Sequence, residues 1–121
     1  MDSNEKIKNI IEALGKHPDD SAIGVLENMG TNSSNDEIRE MTAKVLVNRN
    51  THESLKVVLI SKGKGVNDLS ARVAMSTINE LLSLEDKTEA VKILDDTIEM
   101  HSDEDVKDTA RSVKALMTFS C

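Results

Sequence analysis

Four segments of this chain repeat one apolar pattern, and the pattern decides what the chain can fold into. Ile7 is followed at +3, +4 and +7 by Ile10, Ile11 and Leu14, and Ile38 by Met41, Thr42 and Val45. Ala71 is followed in the same way by Ala74, Met75 and Ile78, and Val106 by Thr109, Ala110 and Val113. That spacing returns apolar or small side chains to one face of a 3.6-residue helix. The anchors are 31, 33 and 35 residues apart, and a basic residue follows each: Lys8, Arg39, Arg72 and Lys107. A helix with one apolar stripe must bury it against a neighbour, so the period asks for helices packed in succession.

Between these A segments lie B segments with their own stripes. Ala22, Val25, Leu26 and Met29 form the first, Leu55, Val58 and Leu59 the second, and Ala90, Ile93, Leu94 and Thr97 the third. The order is A then B three times, closed by a lone A. The expected helices cover 4–15, 18–29, 35–48, 51–62, 68–83, 86–100 and 103–118. Ser34 before Glu37, Asp86 before Glu89 and Asp2 before Glu5 have capping-box spacing, with Ser102 before Asp105 a weaker version. Gly15, Gly30 and Gly63 are expected to stop helices in left-handed turns, and Pro18 to open the second helix. No segment alternates as a strand does.

With 121 residues, 38% hydrophobic and 31% charged, the chain reads as one domain, 1–121, with a modest core. It has one Phe and no Tyr or Trp, so that core must be aliphatic. A net charge of −7 opposes generic binding to a phosphate backbone. Cys121 is the only cysteine, which rules out an internal disulfide or a Cys-based metal cluster. The polar start MDSNEKIKNII does not read as a signal peptide, and no apolar run reaches membrane-spanning length. A cytoplasmic protein without a membrane partner is expected. Asn32-Ser33-Ser34 matches a glycosylation acceptor with no secretion signal beside it.

The openings Asp36-Glu37-Ile38-Arg39…Ala43 and Glu104-Asp105-Val106-Lys107…Ala110 resemble the start of HEAT repeats, which commonly place an acid, a hydrophobe, an Arg and then small residues there. Asn67-Asp68-Leu69-Ser70-Ala71-Arg72 keeps the Arg but puts Ala at the hydrophobe, and Ile7-Lys8 departs furthest. The resemblance implies an all-α, right-handed solenoid of about three and a half antiparallel pairs. Armadillo-like pairs and a non-repeat helical bundle share these signals. HEAT-like proteins are mostly scaffolds that bind proteins on the concave B-helix face. A minority bind nucleic acid, and others are lyases or accessory factors in maturation.

Among residues that could carry chemistry, His17 and His52 fall in A-to-B turns on one edge, and His101 in a B-to-A turn on the other. Neighbouring turns of such a stack lie about 10 Å apart, too far to share an ion easily. Ser61-Lys62-Gly63-Lys64-Gly65 could cradle an anion, but it follows a helix and lacks the Ser or Thr of a Walker loop. Asp95, Asp96, Glu99, Asp103, Glu104 and Asp105 form an acidic run that reads as a solvated surface and helix-start charge. No catalytic constellation, cofactor or metal is expected. Val57 and Ile60 point away from their helix's core stripe, where Glu53, Lys56, Lys92 and Asp96 would frame them. This spot is the expected protein-binding site of a non-catalytic adaptor. The acidic charge and missing aromatics count against the rival, a nucleic-acid module; a small maturation factor using the histidines is a further alternative. The end helices read as polar caps, with Leu116 buried and Phe119 folded onto the last turn, so a monomer is expected.

Overall fold

The computed structural model describes residues 3–119. Asp2 and Cys121 lie outside the described residues. The described chain is all-helical. Its α-helices are α1 (Ser3–Gly15), α2 (Ser21–Leu26), α3 (Asp36–Arg49), α4 (His52–Leu59), α5 (Ala71–Leu82), α6 (Thr88–Met100) and α7 (Glu104–Phe119). A π-helical segment, Glu27–Thr31, prolongs α2, and a 3-10 turn, Gly65–Asn67, precedes α5. No strand is present among the described residues.

One local device recurs at the helix starts. A short polar side chain accepts the N–H of the residue two further on, so a donor with no intrahelical partner is satisfied. Asp19 accepts from Ser21, Asn35 from Glu37, Asp68 from Ser70, Asp86 from Thr88 and Asp103 from Asp105, at 2.7–3.0 Å. At α4 Thr51 and Ser54 form a reciprocal capping box that the acid-based search missed. At α3 the cap is Asn35, not Ser34, and at α7 it is Asp103, not Ser102. Backbone N–H donation lowers the pKa of Asp19 and of Asp86. For Asp103 burial raises it, and the N–H groups of Asp105 and Val106 with Lys62 outweigh that and lower it. Two of these turns share a further contact. His17 Nδ1 accepts from Asp19 N and His101 Nδ1 from Asp103 N, which places the ring proton of each neutral imidazole on Nε2.

The glycines divide differently from the expectation. Gly63 does turn left-handed, with φ +79°, and Asn50 ends α3 at φ 52°. Gly15 and Gly30 do not turn; they let helices approach. A Cβ on Gly15 would lie 2.8 Å from Val45 Cβ, and one on Gly30 would overlap Thr42 Oγ1 and sit 2.6 Å from Thr42 Cβ. Pro18 lies in the α1–α2 turn, three residues before α2 begins.

α3 lies between α1 and α5 and also carries α4, while α6 packs on α4 and α7. Lys8 of α1 pairs with Glu37 early in α3, and Gly15 meets Val45 late in it, so α1 and α3 run parallel. Arg72 with Glu40, then Glu80 with Asn48, set α5 parallel to α3 in the same way. The core is aliphatic: Ile11, Leu26, Leu46, Leu55, Leu59, Leu81, Ile93 and Leu94 are essentially inaccessible. Each such side chain contributes about 1.5–3 kcal/mol on burial. On α3 the buried set is Ile38, Thr42, Ala43, Leu46 and Val47, which turns Met41 and Val45 to a half-buried flank. Ile78 is likewise half-buried. Leu116 is 46% exposed, so it is not buried with the stripe of α7, and Phe119, expected to fold onto the last turn, is 90% exposed.

Candidate functional site

The parallel run of α1, α3 and α5 leaves a groove of about 790 Å³ with α3 as its floor. Glu37, Glu40, Met41, Lys44, Val45 and Asn48 line it from α3. Their spacing puts them on one helical face, beside the buried stripe and not within it. Lys8, Glu12, Gly15 and Lys16 form the wall on α1, and Ser76, Asn79 and Glu80 the wall on α5. The half-buried Met41 and Val45 give the floor an apolar centre.

The two ends of the groove differ electrostatically. At the end where the helices start, charges are closely matched. Lys8 bonds Glu37, Arg72 bonds Glu40, and Ser76 Oγ donates to Glu40 at 2.8 Å. At the other end the pairs are loose. Lys16 lies 3.6 Å from Glu12 and Lys44 3.9 Å from Glu80, with their side chains 79% and 62% exposed. Glu80 takes its shorter bond from Asn48 Nδ2, at 3.0 Å.

Arg49 stands behind that end, its side chain only 7% exposed. Its guanidinium donates to the carbonyls of Leu14, Gly15, His17 and Asp19, closing the end of α1 and the turn after it. One carboxylate oxygen, Asp20 Oδ1 at 3.4 Å, faces it. Carbonyl dipoles therefore solvate most of this cation. Its Nε–H is buried without an acceptor among the described residues.

The residues expected from the sequence fall elsewhere. Val57 and Ile60 are half-buried and packed against the core, and Glu53, Lys56, Lys92 and Asp96 are exposed. His52 Nδ1 lies 2.7 Å from Glu89 Oε1, a contact between α4 and α6, while His17 is held in its own turn. Among the described residues no three His, Cys, Asp or Glu side chains are grouped to hold a metal ion. The basic Ser61–Gly65 turn and the acidic run answer each other: Lys62 lies 3.5 Å from Asp103 and 3.7 Å from Asp105, and Lys64 pairs with Glu27. Gly65 is also fixed by packing, because a Cβ there would lie 2.7 Å from Val58 Cα.

A buried ion pair secures the same turn. Arg39 bonds Asp68, whose side chain is 1% exposed, and reaches Asp36 and the carbonyl of Gly63. Ser70 Oγ donates to Asp36. These residues tie α3 to the start of α5 and so hold two of the groove's three helices in register. Sequence reasoning missed Lys16, Lys44 and Asn79 as surface residues. The one usable signal was the second stripe on α3, visible only when Met41 and Val45 are taken out of the core. No helix among the described residues is long and apolar enough to cross a membrane. No protein-family model, curated protein or solved structure matches this chain.

Proposed function

We propose that the chain is a HEAT-like α-solenoid of about three and a half helix pairs that serves as a non-catalytic, protein-binding adaptor. The groove over α1, α3 and α5 is its recognition surface. The observation that carries this reading is the groove itself: an open, three-helix trough with an apolar centre and polar walls. Such a trough suits a peptide segment whose side chains alternate between apolar and charged. The lining carries Lys8, Lys16, Lys44 and Arg49 against Glu12, Glu37, Glu40 and Glu80, so it lacks the continuous basic track that a nucleic-acid backbone requires. The HEAT resemblance favours the B side instead, around Val57 and Ile60. Their partial burial leaves less surface there than the groove offers.

Affinity capture from the native host with paired variants separates the two faces. Asn79 is exposed and lines the groove, so Asn79→Trp obstructs it without touching the core. Asn79→Trp is expected to keep the wild-type melting temperature and lose the captured partner, while Val57→Asp keeps it. Loss with Val57→Asp alone, at unchanged stability, moves the surface to the B side. Capture that survives both changes overturns the adaptor reading.

A further inference from the structure

Building on the groove as the recognition surface, we infer that its occupant is an amphipathic helical segment running antiparallel to α3, with its acidic first turn over Lys16 and Lys44. Three features of the groove select this partner and its direction.

Charge availability differs between the ends. Lys8, Glu37, Glu40 and Arg72 are already consumed in close pairs. Lys16 and Lys44 are the exposed, loosely paired cations of the lining, and the buried Arg49 adds a fixed positive charge behind them. An acidic group arriving there gains attraction and displaces only weak contacts.

Helix polarity points the same way. α1 and α3 both end at this side, where their last carbonyls accept from Arg49 and from the N–H groups of Lys16, His17 and Asn50. A partner helix running antiparallel to α3 sets its N-terminal end beside the C-terminal ends of α1 and α3, the favourable alignment of helix dipoles. Acidic side chains are themselves favoured in a helix's first turn. The same orientation therefore suits the lysines and the partner's own helix.

The apolar spacing fixes the rest. Met41 and Val45 are four residues apart on the floor, one helical turn. A partner with apolar residues at i and i+4, one turn beyond its acidic start, sets them over this pair. α3 spans 14 residues, about 21 Å, which sets the length of helix the floor supports.

Two fluorescently labelled peptides of about fourteen residues test this. They share one composition and one central apolar pair; one has an acidic first turn and basic last turn, and the other has the blocks exchanged. Anisotropy titrations are expected to favour the acidic-first peptide by about tenfold, with the preference weakening in salt. The acidic-first peptide is also the better helix in isolation, so the deciding protein is the double variant Lys16→Glu with Lys44→Glu. That variant should invert the preference while melting as the wild type does. Equal affinity for both peptides, a preference that the double variant leaves unchanged, or binding of neither overturns the inference. The adaptor reading falls separately, on capture that survives both Asn79→Trp and Val57→Asp.

Discussion

Two glycines six residues apart, Gly24 and Gly30, should respond to the same substitution with opposite signs. Gly24 is exposed in α2, and a Cβ there would meet nothing within 4 Å. Ala at such a site is worth about 0.5–1 kcal/mol over Gly, because the unfolded chain has less freedom to lose. Gly30 is buried in the π-helical segment against α3. A Cβ there would overlap Thr42 Oγ1 and lie 2.5 Å from Cγ2 and 2.6 Å from Cβ. Thr42 is fully buried and its hydroxyl donates to Ile38 O at 2.8 Å, so rotating it breaks that bond and leaves its Cβ in place. The helices must separate, at a net loss of about 1–3 kcal/mol after the propensity gain. For a chain of this length that is a drop of about 3–15 °C in melting temperature, against a rise of a few degrees for Gly24→Ala. Thermal and urea denaturation followed by circular dichroism at the helix band measure both. A neutral or stabilising Gly30→Ala would refute the contact between this segment and α3.

Acidification should destabilise the protein below about pH 4: Asp19, Asp86 and Asp103 all have pKa values lowered from 3.8, so the stability they add is present above that value and is lost as pH falls through the lowered ones. Asp86→Asn should remove part of this dependence in acid melts, because the amide oxygen still accepts from Thr88 N but no longer titrates. Arg39→Met should cost about 3 kcal/mol by leaving the Asp68 carboxylate buried without its cation, and the amides of 61–70 should exchange faster. Phe119→Ser should change stability by less than about 0.5 kcal/mol, since the ring is 90% exposed; a larger loss in urea melts would mean that it packs after all.

Helix number and order, and the core faces of α4, α6 and α7, were readable because each depends on residues close together in the chain; on α5 none of the expected Ala71, Ala74, Met75 and Ile78 is buried, and Val73, Thr77 and Leu81 form the core face instead. Val106, Ala110 and Val113 announce one face of α7 from within α7, and they are buried there. Partners thirty residues away were not readable. Gly15 and Gly63 look alike in the sequence; one closes on Val45 and the other takes φ +79°. Lys62 reads in the sequence as a solvated lysine of a helix-ending turn, and folding sets it beside Asp103 and Asp105. Met41 and Val45 fit a core stripe by spacing, yet the buried arc of α3 is rotated toward Ala43, Leu46 and Val47, and which arc is covered depends on helices distant in the chain. The groove escaped notice for that reason. A stripe shows that a face is apolar, and only the neighbouring helices show whether it is covered.

Six polar ties between the helices and their turns have a nearly constant reach along the chain. Lys8 to Glu37, Arg39 to Asp68, Asp19 to Arg49, Glu40 to Arg72, Asn48 to Glu80 and His52 to Glu89 all join residues separated by 29 to 37 positions. None of these six fastens the first helix to the last. Two of them hold 8–19 to 37–49 and four hold 39–52 to 68–89, so tension applied across the two ends would load these two sets in series, as links of one chain and not as strands of one rope. α1 and α7, next to the points of pull, are expected to peel away first, with α3 last because it is gripped by α1 and α5 together. Force–extension curves should then show several small releases in place of one large rupture.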